Sequence, residues 1–125
     1  MPLILIVEDD PALANLYDQI FKRDGFSVLV ARDGAEGLEM AITKKPDCVL
    51  LDVMLPKMNG LDVFEKMTDS PVAKQIPVIF LTNNIGGADK DKAMKLGAKD
   101  YISKAMEDPE DIVKRVKSVL KAAKA

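Results

Sequence analysis

The sequence predicts an α/β protein in which five buried strands alternate with five helices. One observation is a set of short apolar runs that lack the polar alternation of a half-exposed strand, at residues 3–7, 28–31, 48–51 and 78–81, with a weaker run at 101–103. A second is helical spacing of apolar residues between these runs. A third is capping chemistry at the boundaries. Together they indicate one (βα)₅ unit, a single domain over residues 1–125.

The segments between the strands carry the pattern of amphipathic helices. Apolar residues recur three and four positions apart at Leu13, Leu16, Tyr17 and Ile20, and again at Ile112, Val116, Val119 and Leu120. Asp10-Pro11 and Asp108-Pro109 each place a capping acid before a proline that suits the first helical position. Helices are therefore expected to begin at these two prolines.

Alternating strands and helices imply a parallel sheet covered on both faces and joined by right-handed crossovers. Among five-stranded solutions, the flavodoxin-like doubly wound sheet with strand order 2-1-3-4-5 is the leading choice. Ligands of such sheets bind beyond the carboxyl ends of the strands, near the point where the strand order reverses. The residues that directly follow each strand should therefore carry the chemistry.

Composition excludes several classes of protein. The chain has 125 residues, 48% hydrophobic and 30% charged, which is typical of a globular domain. It has no His, which excludes His-based metal sites and Ser-His-Asp triads. Its net charge of −2 argues against a direct contact with nucleic acid, and no apolar run is long enough for a membrane span. Cys48 has no cysteine partner, which favours a reducing, cytoplasmic location.

Polar residues follow the strands at the expected edge of the sheet. Glu8, Asp9 and Asp10 follow the first strand, and Asp52 follows the third. If these strands are neighbours about 4.8 Å apart, Asp9 and Asp52 face each other. Two carboxylates about 4 Å apart repel by roughly 4 kcal/mol at an effective dielectric near 20, so such a cluster favours a bound cation or a shared proton. Oxygen donors without His or Cys favour Mg²⁺ as the cation.

Thr82 and Lys104 follow the fourth and fifth strands. A hydroxyl and an ammonium group can both bind an anion placed beside the metal. A metal, an ammonium and a hydroxyl around a carboxylate suit phosphoryl transfer, with Asp52 as the nucleophile.

These motifs resemble a bacterial response-regulator receiver domain over essentially the whole chain. The matching segments are Ile-Val-Glu8-Asp9-Asp10, Leu-Leu-Asp52-Val-Met-Leu-Pro56 with Asn59-Gly60, Phe-Leu-Thr82, and Asp-Tyr101-Ile-Ser-Lys104. The resemblance implies a phosphorylation-dependent switch of a two-component system rather than an enzyme that turns over a metabolite. Its phosphoryl donor would be the phosphohistidine of a sensor histidine kinase or phosphotransfer protein, or a small donor such as acetyl phosphate.

The resemblance also implies residue roles. Asp52 would accept the phosphoryl group, and Lys104 would pair with that group. Asp9, Asp52 and the backbone carbonyl of Met54 would bind Mg²⁺ directly, with Glu8 acting through water. Thr82 would move toward the phosphoryl group and let Tyr101 turn inward. That motion would remodel the face formed by helix 4, strand 5 and helix 5, which would bind a downstream protein.

Two features depart from the pattern or adjust it. The family usually has Pro after the Lys, but here Ala105 follows Lys104, so the bond between them is either trans in a rebuilt loop or a strained cis bond. Met54 and Asn84 lie two residues beyond Asp52 and Thr82, at positions that resemble the family's tuners of phosphate lifetime.

Three other functions are weighed against this one. A haloacid dehalogenase-like Mg²⁺ phosphohydrolase needs a second acid two residues after the nucleophile, where this chain has Met54. A flavodoxin-like cofactor binder needs a phosphate-binding loop after the first strand, where three acids would repel phosphate. A degenerate receiver that acts only as a protein-binding module is disfavoured because the acids, Thr82 and Lys104 are all present.

Overall fold

The computed structural model describes residues 1–83 and 87–124, and the side chains of all of these except residue 124. They form five strands, β1 (Leu3–Val7), β2 (Ser27–Ala31), β3 (Cys48–Leu51), β4 (Val78–Thr82) and β5 (Asp100–Ser103). Five helices alternate with them, α1 (Pro11–Arg23), α2 (Gly34–Lys44), α3 (Gly60–Thr68), α4 (Gly87–Lys95) and α5 (Pro109–Lys124).

All the strand pairings are parallel, and the order is β2-β1-β3-β4-β5, so the predicted fold class and topology are confirmed. Three strands are one residue longer than the apolar runs that predicted them. Ser27, Thr82 and Asp100 are polar, yet each pairs with a neighbouring strand. Strand pairing is made by main-chain hydrogen bonds, which a polar residue can form as well as an apolar one. A search for apolar runs therefore misses these three strand residues.

Side chains of successive strand residues point to opposite faces of the sheet, and each face has its own core. One core holds alternate residues of β1, β3 and β4, such as Leu5, Leu51 and Phe80, with buried residues of α2, α3 and α4. The other holds the residues between them, such as Ile6, Leu50 and Leu81, with buried residues of α1 and α5. Since both faces are covered, the strands read as continuous apolar runs rather than as alternating ones.

Capping at the end of β1 follows the prediction. Asp10 is the N-cap of α1, and its carboxylate accepts hydrogen bonds from the backbone N–H groups of Ala12 and Leu13. Pro11 and Pro109 open α1 and α5, as their position after an aspartate indicated. Among the described helices, none combines the length and the apolar character needed to span a membrane.

Candidate functional site

Three acidic side chains meet where β1 and β3 end. Val7 and Leu51 are paired in the sheet, so the next residues, Glu8 and Asp52, leave it side by side, and the Asp52 N–H donates to the Val7 carbonyl at 3.4 Å. The carboxylate oxygens of Glu8, Asp9 and Asp52 lie within 4.8 Å of one another. Glu8 is 3% and Asp52 is 6% exposed, whereas Asp9 is exposed.

Lys104 reaches this cluster from the end of β5. Its ammonium nitrogen lies 2.5 Å from Glu8 Oε1 and 2.7 Å from Asp52 Oδ2, and its side chain is only 7% exposed. Lys104 is held in place by the sheet, since its backbone N–H donates to the Thr82 carbonyl at 3.0 Å. One buried ammonium group is thus shared by two buried carboxylates.

Burial and pairing oppose each other in this cluster. Burial raises the pKa of Glu8 above its usual value, and hydrogen bonds from Lys104 and from the Asp10 N–H only partly offset that rise. Burial also works against the charge of Lys104, but its hydrogen bonds to Asp52 and Glu8 outweigh that effect, so the pKa of Lys104 is raised. Since one ammonium cannot neutralise three carboxylates, the site keeps an excess of negative charge.

The carboxylate of Asp52 is oriented by two donors. Its Oδ2 accepts from Lys104, and its Oδ1 accepts from the backbone N–H of Met54 at 3.2 Å. The side chain of Met54 is 70% exposed, so it lies at the mouth of the site rather than in the core. Glu8 is held similarly, since its Oε2 accepts from the Asp10 N–H at 3.1 Å.

Two glycines allow the loop between β3 and α3 to pass close to its neighbours. A Cβ atom at Gly60 would lie 1.9 Å from the carbonyl oxygen of Asp52, and a Cβ atom at Gly34 would lie 1.8 Å from that of Met58. Backbone hydrogen bonds join the same segments. The Gly60 N–H donates to the Val53 carbonyl at 2.8 Å, and the Gly34 N–H donates to the Pro56 carbonyl at 3.2 Å. The main chain after Asp52 is therefore held between the first residue of α3 and the first residue of α2.

The donor set fits a hard divalent cation. The ligand atoms are carboxylate oxygens from three residues, with the mouth of the site open at Asp9 and no His in the chain. Mg²⁺ prefers oxygen donors and keeps several waters, so one exposed and two buried carboxylates match its needs. These three acids are the ones that the sequence pattern indicated.

Thr82 and Tyr101 lie on the β4 and β5 side of the site. Thr82 is fully buried at the end of β4. Tyr101 is 9% exposed and packs on Phe80, with ring centroids 5.8 Å apart. The phenol ring is thus in an inward position, and burial raises the pKa of its hydroxyl. The described peptide bonds include no cis bond, so Lys104 and Ala105 are joined in trans. Asn84 lies outside the described residues.

Two further side chains at the site were not singled out by the sequence. Tyr17 was identified only as part of the apolar stripe of α1, but its 3% exposed phenol lines the same small gap as Glu8 and Asp52. Ser103 has a buried Oγ without a hydrogen-bond partner. The signal for Ser103 was its position directly before Lys104, beside Thr82 in the predicted strand order.

Comparison with known proteins identifies the group to which these features belong. The family model described as "Response regulator receiver domain" matches residues 4–117. The chain belongs to this family. Receivers are the phosphoacceptor modules of two-component systems, and they interact with histidine kinases. The flavodoxin-like topology and the acidic cluster are features of the receiver fold.

The curated relatives are longer than this receiver. The alkaline phosphatase synthesis transcriptional regulatory protein PhoP of Bacillus subtilis is 36% identical over 118 residues, which is 94% of this chain and 48% of that protein. The transcriptional regulatory protein CpxR of Escherichia coli is 37% identical over 121 residues, 97% of this chain and 50% of that protein. The chain spans about half the length of the curated relatives it matches.

Solved structures match over nearly all of both chains. The CheY-like receiver domain protein from Methanospirillum hungatei has a TM-score of 0.92 at 27% identity, covering 99% of this receiver and 97% of that chain. The BeF₃-activated receiver domain of RstA from Klebsiella pneumoniae has a TM-score of 0.85 at 30% identity, covering 94% and 97%.

Proposed function

We propose that this receiver is a phosphorylation-dependent switch in which Asp52 takes a phosphoryl group from a sensor histidine kinase or a histidine phosphotransfer protein. One observation carries the proposal. Asp52 is a buried carboxylate with an ammonium group 2.7 Å from one oxygen and two further acids within 4.8 Å. A helix cap or a surface turn needs no such surroundings, whereas an acceptor of phosphate needs both kinds of charge.

The chemistry follows from the two Asp52 oxygens. A carboxylate oxygen attacks phosphorus, the P–N bond of the phosphohistidine breaks as the O–P bond forms, and the departing imidazole nitrogen takes up a proton. Lys104 is close enough to Asp52 to pair with the transferred group and to stabilise charge on its equatorial oxygens. The Met54 N–H holds the other carboxylate oxygen in position. Loss of the phosphoryl group to water breaks the same O–P bond.

The acids would hold Mg²⁺, with Asp9 and Asp52 as direct ligands, the Met54 carbonyl as another, and Glu8 acting through water. When bound, the cation supplies positive charge that neutralises the carboxylates and the incoming phosphate. The family generally binds Mg²⁺ at its acidic pocket, which supports this assignment. Burial and, to a smaller extent, the charge of Asp52 raise the pKa of Glu8, so a nearby cation would favour the charged form of Glu8.

The output would pass through Thr82 and Tyr101 to the face formed by α4, β5 and α5. Thr82 would move toward the phosphoryl group. The family resemblance implied that Tyr101 turns inward on this motion, but this residue is already only 9% exposed, so the motion would hold the ring there rather than bring it in. A downstream protein would then bind this face in preference to its resting form, so that one modification shifts a population. A single domain over residues 1–125, acting in the cytoplasm without contact to membrane or nucleic acid, completes the proposal.

Intact-mass spectrometry after incubation with acetyl phosphate and MgCl₂ tests the acceptor. We expect one added phosphoryl group in the wild type and none in Asp52→Ala. Asp69→Ala is the matched control, because Asp69 is an exposed aspartate at the far end of α3 and should leave labelling unchanged. Labelling that persists in Asp52→Ala would move the acceptor elsewhere.

The same labelling, together with an assay of phosphate release from a phosphomonoester, separates the other functions. A protein-binding module without phosphorylation would remain unlabelled under all conditions. A haloacid dehalogenase-like phosphohydrolase would release phosphate from a monoester in many turnovers, but the position of its second acid is taken by the exposed thioether of Met54. Among the residues that the structure describes at the site, none favours that reaction over a single-turnover acceptor.

A further inference from the structure

The hydroxyl of Ser103 is a buried polar group without a partner at the edge of the proposed switch. Its Oγ is the buried side-chain oxygen or nitrogen that lacks a hydrogen bond among the described residues. Buried hydroxyls are normally hydrogen-bonded, because an unpaired one has lost its water without gaining another partner. An orphan of this kind therefore destabilises the conformation in which it occurs.

The sheet places this hydroxyl beside Thr82. Thr82 and Ser103 are paired in register across β4 and β5, two residues beyond the pair Phe80 and Tyr101. Residues paired in register on parallel strands project from the same face of the sheet, and the ring contact between Phe80 and Tyr101 shows that this pairing brings side chains together. We call Phe80, Thr82, Tyr101 and Ser103 the switch row.

We infer that Ser103 is a positioning residue for the switch, and that its hydroxyl donates a hydrogen bond to the Thr82 hydroxyl in the phosphorylated form. This inference rests on the proposed function. A hydroxyl has one proton to donate and two lone pairs that can accept, so a Thr82 hydroxyl that donates to a phosphoryl oxygen can also accept a hydrogen bond. The Ser103 hydroxyl is the neighbouring donor in the row, and a chain of two hydroxyls ending on an anion strengthens each bond in it.

The orphan then has a role in the equilibrium between the two forms. It raises the free energy of the resting conformation, and it gains a partner when Thr82 moves. Both effects favour the phosphorylated form, so removing the hydroxyl shifts the population toward the resting conformation. A hydroxyl that served packing alone would change stability without changing the affinity for a phosphoryl group.

Binding of beryllofluoride in the presence of MgCl₂, measured by isothermal titration calorimetry, tests this without any group transfer. We expect Ser103→Ala to bind the phosphoryl mimic about tenfold more weakly than the wild type, which is the typical effect of one hydrogen bond. The melting temperature of the unliganded variant should be equal to or above that of the wild type, because the orphan is gone.

Ser103→Thr and Ser103→Val form a matched pair, since they have the same shape and differ in the hydroxyl. The threonine variant should bind within about twofold of the wild type and the valine variant about tenfold more weakly. In a Thr82→Val background, Ser103→Ala should have no further effect, because the partner is absent.

Equal affinity of wild type and Ser103→Ala would overturn the inference, and so would equal affinity of the threonine and valine variants. It would also be overturned if Ser103→Ala weakened binding equally with and without the Thr82 hydroxyl. A wild type that binds no beryllofluoride would instead refute the proposed function, and this inference would fail with it.

Discussion

Replacing Lys104 with methionine removes the ammonium group and keeps most of the length of the side chain. In the wild type that group lies 2.5 Å from Glu8 and 2.7 Å from Asp52. Without it, two buried carboxylates repel each other with no counter-charge, by about 4 kcal/mol if their charges lie about 4 Å apart in a medium of effective dielectric near 20. Breaking a buried ion pair by removing one partner costs about 3–5 kcal/mol, so both routes give a similar loss.

The assay is thermal and urea unfolding at pH 8 in EDTA. Lys104→Met should lose about 3–5 kcal/mol, which lowers the melting temperature by about 10–20 °C in a domain of this size. Lys22→Met is the matched control, because Lys22 is 59% exposed and pairs with Asp18 on the surface of α1. Such an exposed pair contributes about 0.3–0.5 kcal/mol.

The loss should depend on pH and on magnesium. The pKa of Glu8 is already raised by burial, and removal of Lys104 takes away the hydrogen bond that lowers it. A raised carboxyl pKa in the folded state favours folding at low pH and loses that contribution as the pH rises through it. The gap between wild type and variant should therefore narrow toward pH 5. Added MgCl₂ should stabilise the variant more than the wild type.

A loss as small as that of Lys22→Met would refute this reasoning, since it would show that the carboxylates do not depend on the ammonium group. A gap that widens toward pH 5 would refute the sign of the electrostatic argument.

Three further outcomes are expected. Met54→Asn puts a polar group at the mouth of the site in place of an exposed thioether. In a ³²P decay assay, the phosphorylated form of this variant should lose its label about tenfold faster than the wild type. The control Met94→Asn, on α4, should not change that rate. Gly60→Ala places a Cβ atom 1.9 Å from the carbonyl oxygen of Asp52. Calorimetry should therefore show that the free energy of unfolding falls by at least about 2 kcal/mol. An unchanged melting temperature would show that this close contact does not restrict the position. Burial raises the pKa of Cys48 to about 12, so its thiol should react with a disulfide reagent only after unfolding. The free energy of unfolding should fall above about pH 9, because there the thiol ionises only in the unfolded chain.

The fold could be predicted because its signals are local and repeated. The fully apolar run at 48–51 lies in the centre of the sheet, where both faces are covered, and the aspartate after it stands at the edge where ligands bind. Asp10 was separable from the other acids because a proline follows it, and it caps α1. These inferences need only spacing, polarity and the handedness of the connections.

The contacts within the site could not be predicted from the sequence, because they depend on how far each side chain extends and in which direction. Spacing placed Lys104 near the acids, but it could not show that one ammonium group is shared by Glu8 and Asp52. Tyr17 fits the apolar stripe of α1 equally well as plain core, and only the packing of α1 on the sheet turns its ring to the acidic gap. The orphaned hydroxyl of Ser103 is a property of one conformation, which no pattern of residues records.

The close approach of Gly60 and Gly34 limits how the main chain after Asp52 can move. The loop after Asp52 has no space for even a methyl group at these two points, and backbone hydrogen bonds hold it there. Motion of this loop toward α3 would have to break these main-chain contacts. If Asp52 is phosphorylated as proposed, we expect the added charge to displace side chains toward β4 and β5 rather than this loop.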